Sequence, residues 1–82
     1  MKKLYAVIAQ DARDDDFEVM EISFNLEDVK KMARWQKSLR VPSTKTILVA
    51  YPYEFQQDDD MRGLWDAAED WYTYGEYEAV NF

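Results

Sequence analysis

Lys3-Leu4-Tyr5-Ala6-Val7-Ile8-Ala9-Gln10 is the stretch that decides the fold. In an extended chain Leu4, Ala6 and Ile8 point to one side, and Tyr5, Val7 and Ala9 to the other. Both sides are apolar, so this strand belongs inside a sheet rather than at its rim. Asp11–Asp16 is a polar connection. Phe17–Phe24 then reads as a second strand, with Phe17 and Val19 on one face and Met20, Ile22 and Phe24 on the other. Six residues between two strands suit an antiparallel hairpin with a longer loop.

Beyond this hairpin the apolar period changes from two to about three and a half. Asn25 is placed as a helix N-cap, with Asp28 three residues on as an approximate capping box. Leu26, Val29, Met32, Ala33 and Leu39 form one helical stripe, and Glu27 precedes Lys31 in the favoured order for a surface pair. Pro42 stops this helix near Arg40. Thr46–Phe55 is rich in strand formers, with Ile47, Val49, Tyr51 and Tyr53 on one face and Leu48 and Ala50 on the other. Pro52 cannot donate to a ladder, so the strand ends there or lies at an edge.

Gln56–Asp60 is polar, and its acids suit a helix N-terminus. Met61, Leu64, Trp65, Ala68, Trp71 and Tyr72 follow at helical spacing, and Gly75 fits the position just past a helix end. Glu76–Phe82 then forms a short last strand, or Trp71–Phe82 forms one longer strand. The sequence thus predicts an α+β fold: one domain over residues 1–82, with an antiparallel sheet in the order β-β-α-β-α-β and two helices packed on one face.

Composition removes several functions. The chain has no Cys and no His, hence no disulfide, thiolate nucleophile or imidazole base, and no ordinary zinc or iron site. Asp14–Asp16 and Asp58–Asp60 lack the alternating ligand spacing of a calcium loop, and loop or cap roles fit them better. Gly63 and Gly75 make no phosphate loop, and Ser23, Ser38 and Ser43 have no base partner of the usual kind. Paired carboxylates need a cleft, for which so short a chain has little room. The expectation is a non-enzyme with no cofactor and no metal. Leu4–Ala9, after Met-Lys-Lys, is too short for a signal-peptide core or a membrane span, so the expected location is cytoplasmic, in a bacterium or an infected host cell.

Charge is divided unevenly. From Ile47 to Phe82 there are nine acids, one base and nine of the thirteen aromatics, giving that segment a net charge of −8. Residues 1–46 carry +1, and the whole chain −7. Between Val29 and Thr46 there is no acid, while Lys30, Lys31, Arg34, Lys37, Arg40 and Lys45 contribute +6 beside Trp35. The molecule is expected to be an electrostatic dipole. Its net charge opposes direct binding to nucleic acid or an anionic membrane and favours a basic protein surface.

The acidic segment mixes carboxylates with Tyr and Trp. Tyr72, Tyr74 and Tyr77, with Trp71 and Phe82, are too many to pack inside so small a domain, so some are expected on the surface. Asp66 and Asp70 lie one helical turn apart, about 6 Å along the axis, a spacing suited to Lys and Arg side chains that grip successive phosphates. Asp58, Asp59, Asp60, Trp65, Asp66, Glu69, Asp70, Tyr72, Tyr74, Glu76 and Tyr77 are the candidate partner-binding residues. Aromatics would anchor and carboxylates would steer. The alternative for each is ordinary: core for the aromatic stripe, solvated face for the acids.

In size, charge and aromatic content the chain resembles small acidic inhibitors as a class: phage-encoded nucleic-acid mimics, anti-restriction and anti-CRISPR proteins, and nuclease immunity proteins. The resemblance implies protein–protein interaction with a basic, nucleic-acid-binding protein or nuclease complex. The competing expectations are a self-associating assembly module and, more weakly, a nucleic-acid binder working through the basic helix at 29–45.

Overall fold

A computed structural model describes residues 2–55 and 60–82. Among them are strands β1 (Lys2–Asp11), β2 (Phe17–Ser23), β3 (Thr44–Phe55) and β4 (Glu78–Val80), and helices α1 (Leu26–Ser38) and α2 (Met61–Thr73). The four strands form one antiparallel sheet in the order β2-β1-β3-β4. The class, the element order and the central position of β1 are those the sequence predicts. No helix of the described residues is long and apolar enough to cross a membrane.

The placing of the helices differs from the expectation that both pack on one face. Leu4, Ala6, Ile8, Val49 and Tyr51 pack with Leu64, Ala68 and Tyr72 of α2. Val7 and Leu48 pack with Val29 and Ala33 of α1 on the other side of the sheet. Register agrees: Ala6 pairs with Val49 and Ile8 with Ile47, while Val7 pairs with Leu48 between them. The protein is therefore a three-layer sandwich, helix on sheet on helix. The cause lies in β1 itself. Each of its faces is apolar, and each needs a layer to exclude water; Leu4, Val7 and Ile8 are fully buried, worth about 1.5–3 kcal/mol each.

β2 departs from simple alternation. Val7 pairs with Glu21 but Ile8 pairs with Val19, which leaves Met20 as an extra residue in the edge strand. This bulge lets Met20 pack on the α1 side while Val19 and Ile22, three residues apart, both join the α2 side. Phe17 and Phe24 pack on that side as well. The expected division of Phe17 and Val19 from Ile22 and Phe24 is thus overturned by one inserted residue.

A second irregularity accommodates Pro52. From Lys3 to Tyr5 β1 advances two residues, while its partners in β3 run from Glu54 back to Ala50, four residues. Pro52 lies in this mismatched stretch, and β4 pairs only with Leu48–Ala50 on the other side. The strand therefore continues past the proline to Phe55 without losing a ladder bond that Pro52 cannot make.

α1 starts where the capping reading puts it. The Asn25 side-chain oxygen accepts from the Glu27 and Asp28 backbone N–H groups, at 3.0 and 3.4 Å. Val29, Ala33 and Gln36 turn inward at spacings of four and three. The helix ends at Ser38, and Arg40 takes a left-handed φ of 50° ahead of Pro42. The hairpin loop is held by its own acids: Asp11 Oδ1 accepts from Arg13 N at 2.8 Å and Asp14 Oδ1 from Asp16 N at 3.1 Å.

Candidate interaction surface

α2 begins at Asp60, whose carboxylate accepts from the Arg62 backbone N–H at 3.1 Å. The helix turns Leu64, Ala68 and Tyr72 into the core and half-buries Trp65 and Trp71 beside them. Arg62, Asp66, Glu69, Asp70 and Thr73 are exposed, at spacings of four, three, one and three, which is a single outward stripe. The stripe is acidic because the core-facing positions took the apolar residues.

Asp66, Glu69 and Asp70 make no ion pair with a described residue. The two ion pairs among the described residues lie elsewhere, Arg13 to Asp11 at 3.7 Å and Lys30 to Glu27 at 4.0 Å. The three carboxylates therefore face water. Tyr74 continues the line four residues after Asp70 and is 78% exposed, the most exposed of the large hydrophobics described.

The end of α2 fixes where Tyr74 and Glu76 stand. Gly75 adopts a φ of 76°, its N–H donates to Tyr72 O at 3.2 Å, and the Glu76 N–H donates to Trp71 O at 2.8 Å. These are the paired bonds of a Schellman motif, and the left-handed residue is the glycine the sequence places there. Helix, then short strand, is thus the correct reading of residues 71–82. The Glu76 carboxylate accepts from the Tyr53 hydroxyl at 3.2 Å. Desolvation, then that hydrogen bond to the carboxylate, raises the Tyr53 phenol above its ordinary pKa.

Most of the remaining aromatics are structural. The Trp71 ring sits 5.2 Å from Tyr51, 4.9 Å from Tyr53 and 5.6 Å from Phe55, centroid to centroid. Tyr72 is buried, lies 4.7 Å from Phe17, stacks 4.8 Å from Tyr77, and donates to Gln10 Oε1 at 2.9 Å. Burial first, and Tyr77 next to it, push the Tyr72 phenol up to about 12. Tyr51 donates to the Ala68 carbonyl at 3.0 Å, and its phenol is raised further, mainly by burial.

The structure thus sorts the candidate residues. Asp66, Glu69, Asp70, Tyr74 and Glu76 are exposed along α2 and its end. Asp60 is exposed but serves as the helix cap. Trp65 and Tyr77 are half-buried against the core, and Tyr72 belongs to it, so its ring is lost to any contact surface. Asp58 and Asp59 lie outside the described residues. Met61, placed on the core stripe by spacing, is instead 38% exposed and borders a shallow hollow of about 410 Å³ with Arg62, Trp65 and Asp66. Its place in the first helical turn, right after the cap, was the available signal. Among the described residues no three acids lie together as a metal-holding group.

The opposite side of the molecule is basic. Lys31, Arg34, Lys37 and Arg40 are exposed on or just after α1, beside Trp35, which is 55% exposed, and Leu39. Because the helices flank the sheet, the two charged faces point away from each other. Compared with known proteins, the chain matches no family model, no curated protein and no solved structure.

Proposed function

We propose that this chain is a small acidic binding protein that occludes a basic partner, a nucleic-acid-handling protein, with the outer face of α2. One observation carries the reading. Asp66, Glu69 and Asp70 form an exposed stripe without a cation partner among the described residues, and Tyr74 extends it as an exposed aromatic. Like charges crowded on one helix face do not stabilise the helix, and an outside cation can answer them. Met61 and Trp65 add apolar contact at its start. In this reading the protein works by binding rather than by catalysis, in the cytoplasm of a bacterium or an infected host cell, as phage-type inhibitors of restriction, CRISPR or nuclease complexes do.

Paired affinity captures from the native cell test this, one with the wild-type chain and one with Asp66→Lys/Asp70→Lys. The reading expects a nucleic-acid-binding protein that the wild type retains at low salt and releases with salt or with competing DNA. The variant, with two charges reversed, loses it. Equal retention by both would sink the proposal.

The placing of the helices favours a second reading, self-association. The basic, Trp-bearing face of α1 and the acidic face of α2 lie on opposite sides of one small domain, so one copy can dock head to tail on the next.

A further inference from the structure

The acidic face does not account for a second feature, on the other side of the sheet. α1 ends at Ser38, and the chain returns to β3 through a turn with two non-glycine residues in left-handed backbone, Arg40 at a φ of 50° and Ser43 at 62°. Between helix end, turn and strand start lies a hollow of about 320 Å³. Gln36, Lys37, Arg40, Thr44, Lys45 and Thr46 line it. Of its lining side chains on the α1 side two are cationic, Lys37 and Arg40, and among the described residues none is a carboxylate.

Gln36 is the informative residue. It is 8% exposed and is the one buried polar side chain among the described residues. No hydrogen bond joins its amide to a described residue. Yet no buried side-chain nitrogen or oxygen there is shut off from both a partner and solvent. The amide therefore keeps some solvent contact, and Gln36 is one of the residues lining the hollow. A nearly buried amide beside an open hollow is a donor and an acceptor that a ligand can answer.

A helix C-terminus would ordinarily repel an anion. Here the final carbonyls are engaged: Trp35 O accepts from Ser38 Oγ at 2.6 Å, Gln36 O from Leu39 N at 3.3 Å, and Lys37 O from Arg40 N at 3.3 Å. The Lys37 ammonium sits 5.5 Å from the Phe82 ring centroid, which holds that side chain at the helix end. Arg40 lies outside the helix, so complementing its dipole does not explain it.

We propose that this hollow binds a phosphomonoester, a small phosphorylated molecule. A dianion answers both cations at once, and its oxygens can accept from the Gln36 amide, the Thr44 and Thr46 hydroxyls and the Arg40 guanidinium. A single carboxylate would leave part of that wall unanswered. The hollow equals about ten waters at ~30 Å³ each, more than phosphate alone fills, so it has room for the organic body. The exposed Val41 side chain offers that body an apolar contact.

A ¹⁵N NMR titration of the full chain with ribose 5-phosphate, inorganic phosphate and ribose tests the site. Ribose 5-phosphate should give saturable shifts of the Gln36 side-chain amide and of the Thr44 and Thr46 backbone amides. It should bind more tightly than inorganic phosphate, and ribose should give no shift. Arg40→Asn, which tolerates the left-handed backbone, and Gln36→Leu should each weaken binding by about tenfold. Arg34→Gln, on the outer face of α1, should leave it unchanged. If Arg40→Asn disturbs the rest of the spectrum, Lys37→Met takes its place with the same expected loss. Shifts that do not saturate by about 10 mM, equal binding of inorganic phosphate, or an equal loss in Arg34→Gln would each overturn the proposal. None of these outcomes depends on the acidic face of α2.

Discussion

Replacing Tyr51 with Phe tests the joint between α2 and the sheet, and its effect should fade as pH rises towards 11. The ring stays, so no cavity opens. What is lost is the hydrogen bond from the hydroxyl to the Ala68 carbonyl, 3.0 Å long and buried. Such a bond contributes about 0.5–1.5 kcal/mol, so at pH 7 the variant should be about 1 kcal/mol less stable. The phenol also has a raised pKa, from burial first and from Tyr72 and Tyr77 second. A raised pKa means that the folded chain keeps a proton that the unfolded chain releases. Stability from this group is complete below about pH 10 and falls as pH rises above it. At pH 11 the wild type should have lost up to about 1.4 kcal/mol through this phenol, a loss the Phe variant does not suffer. Tyr72 titrates in both proteins and cancels from the difference. The two stabilities should therefore meet near pH 11. Urea unfolding followed by far-UV circular dichroism, at steps from pH 7 to pH 11, measures the gap. No destabilisation at pH 7, or a gap that stays constant to pH 11, would refute a buried, bonded hydroxyl.

Two further predictions concern the backbone and the charged faces. Gly75→Ala should cost about 1 kcal/mol in urea unfolding, because φ is 76° while a Cβ there would meet nothing within 4 Å, so the penalty is conformational and not steric packing. For self-association, Lys31→Glu/Arg34→Glu and Asp66→Lys/Asp70→Lys should each be monomeric alone. Mixed at low salt they should associate again, since the two retained faces match and the two reversed faces are complementary to each other as well. Light scattering reads this, and a wild type that stays monomeric at low salt at every concentration would rule the head-to-tail contact out.

The legible parts of the fold were those governed by neighbouring residues. The Asn25 cap, the Pro42 stop and the Gly75 terminus act within one turn of chain, and each stands where the sequence places it. The acidic stripe was legible too, because Asp66, Glu69 and Asp70 share a face on any straight helix. Tyr72 and Tyr77 were less so. Whether an aromatic beside acids packs or projects depends on what stands opposite, and here Phe17 and Gln10 meet Tyr72 from strands more than fifty residues away in the chain. The faces of β2 were misread because a bulge is a mismatch between two strands, and neither strand shows it alone.

By itself the sequence determined the elements, their order, the central place of β1 and the separation of acidic from basic segments, since periodicity, capping and charge are local properties of the chain. Only the tertiary structure decided which side of the sheet each helix covers. An apolar stripe records that a helix must bury one face, not which of two apolar sheet faces receives it. That one choice set α1 against Val7 and Leu48 and α2 against Ala6 and Val49, and so turned two charged helices into opposite outer surfaces of the molecule.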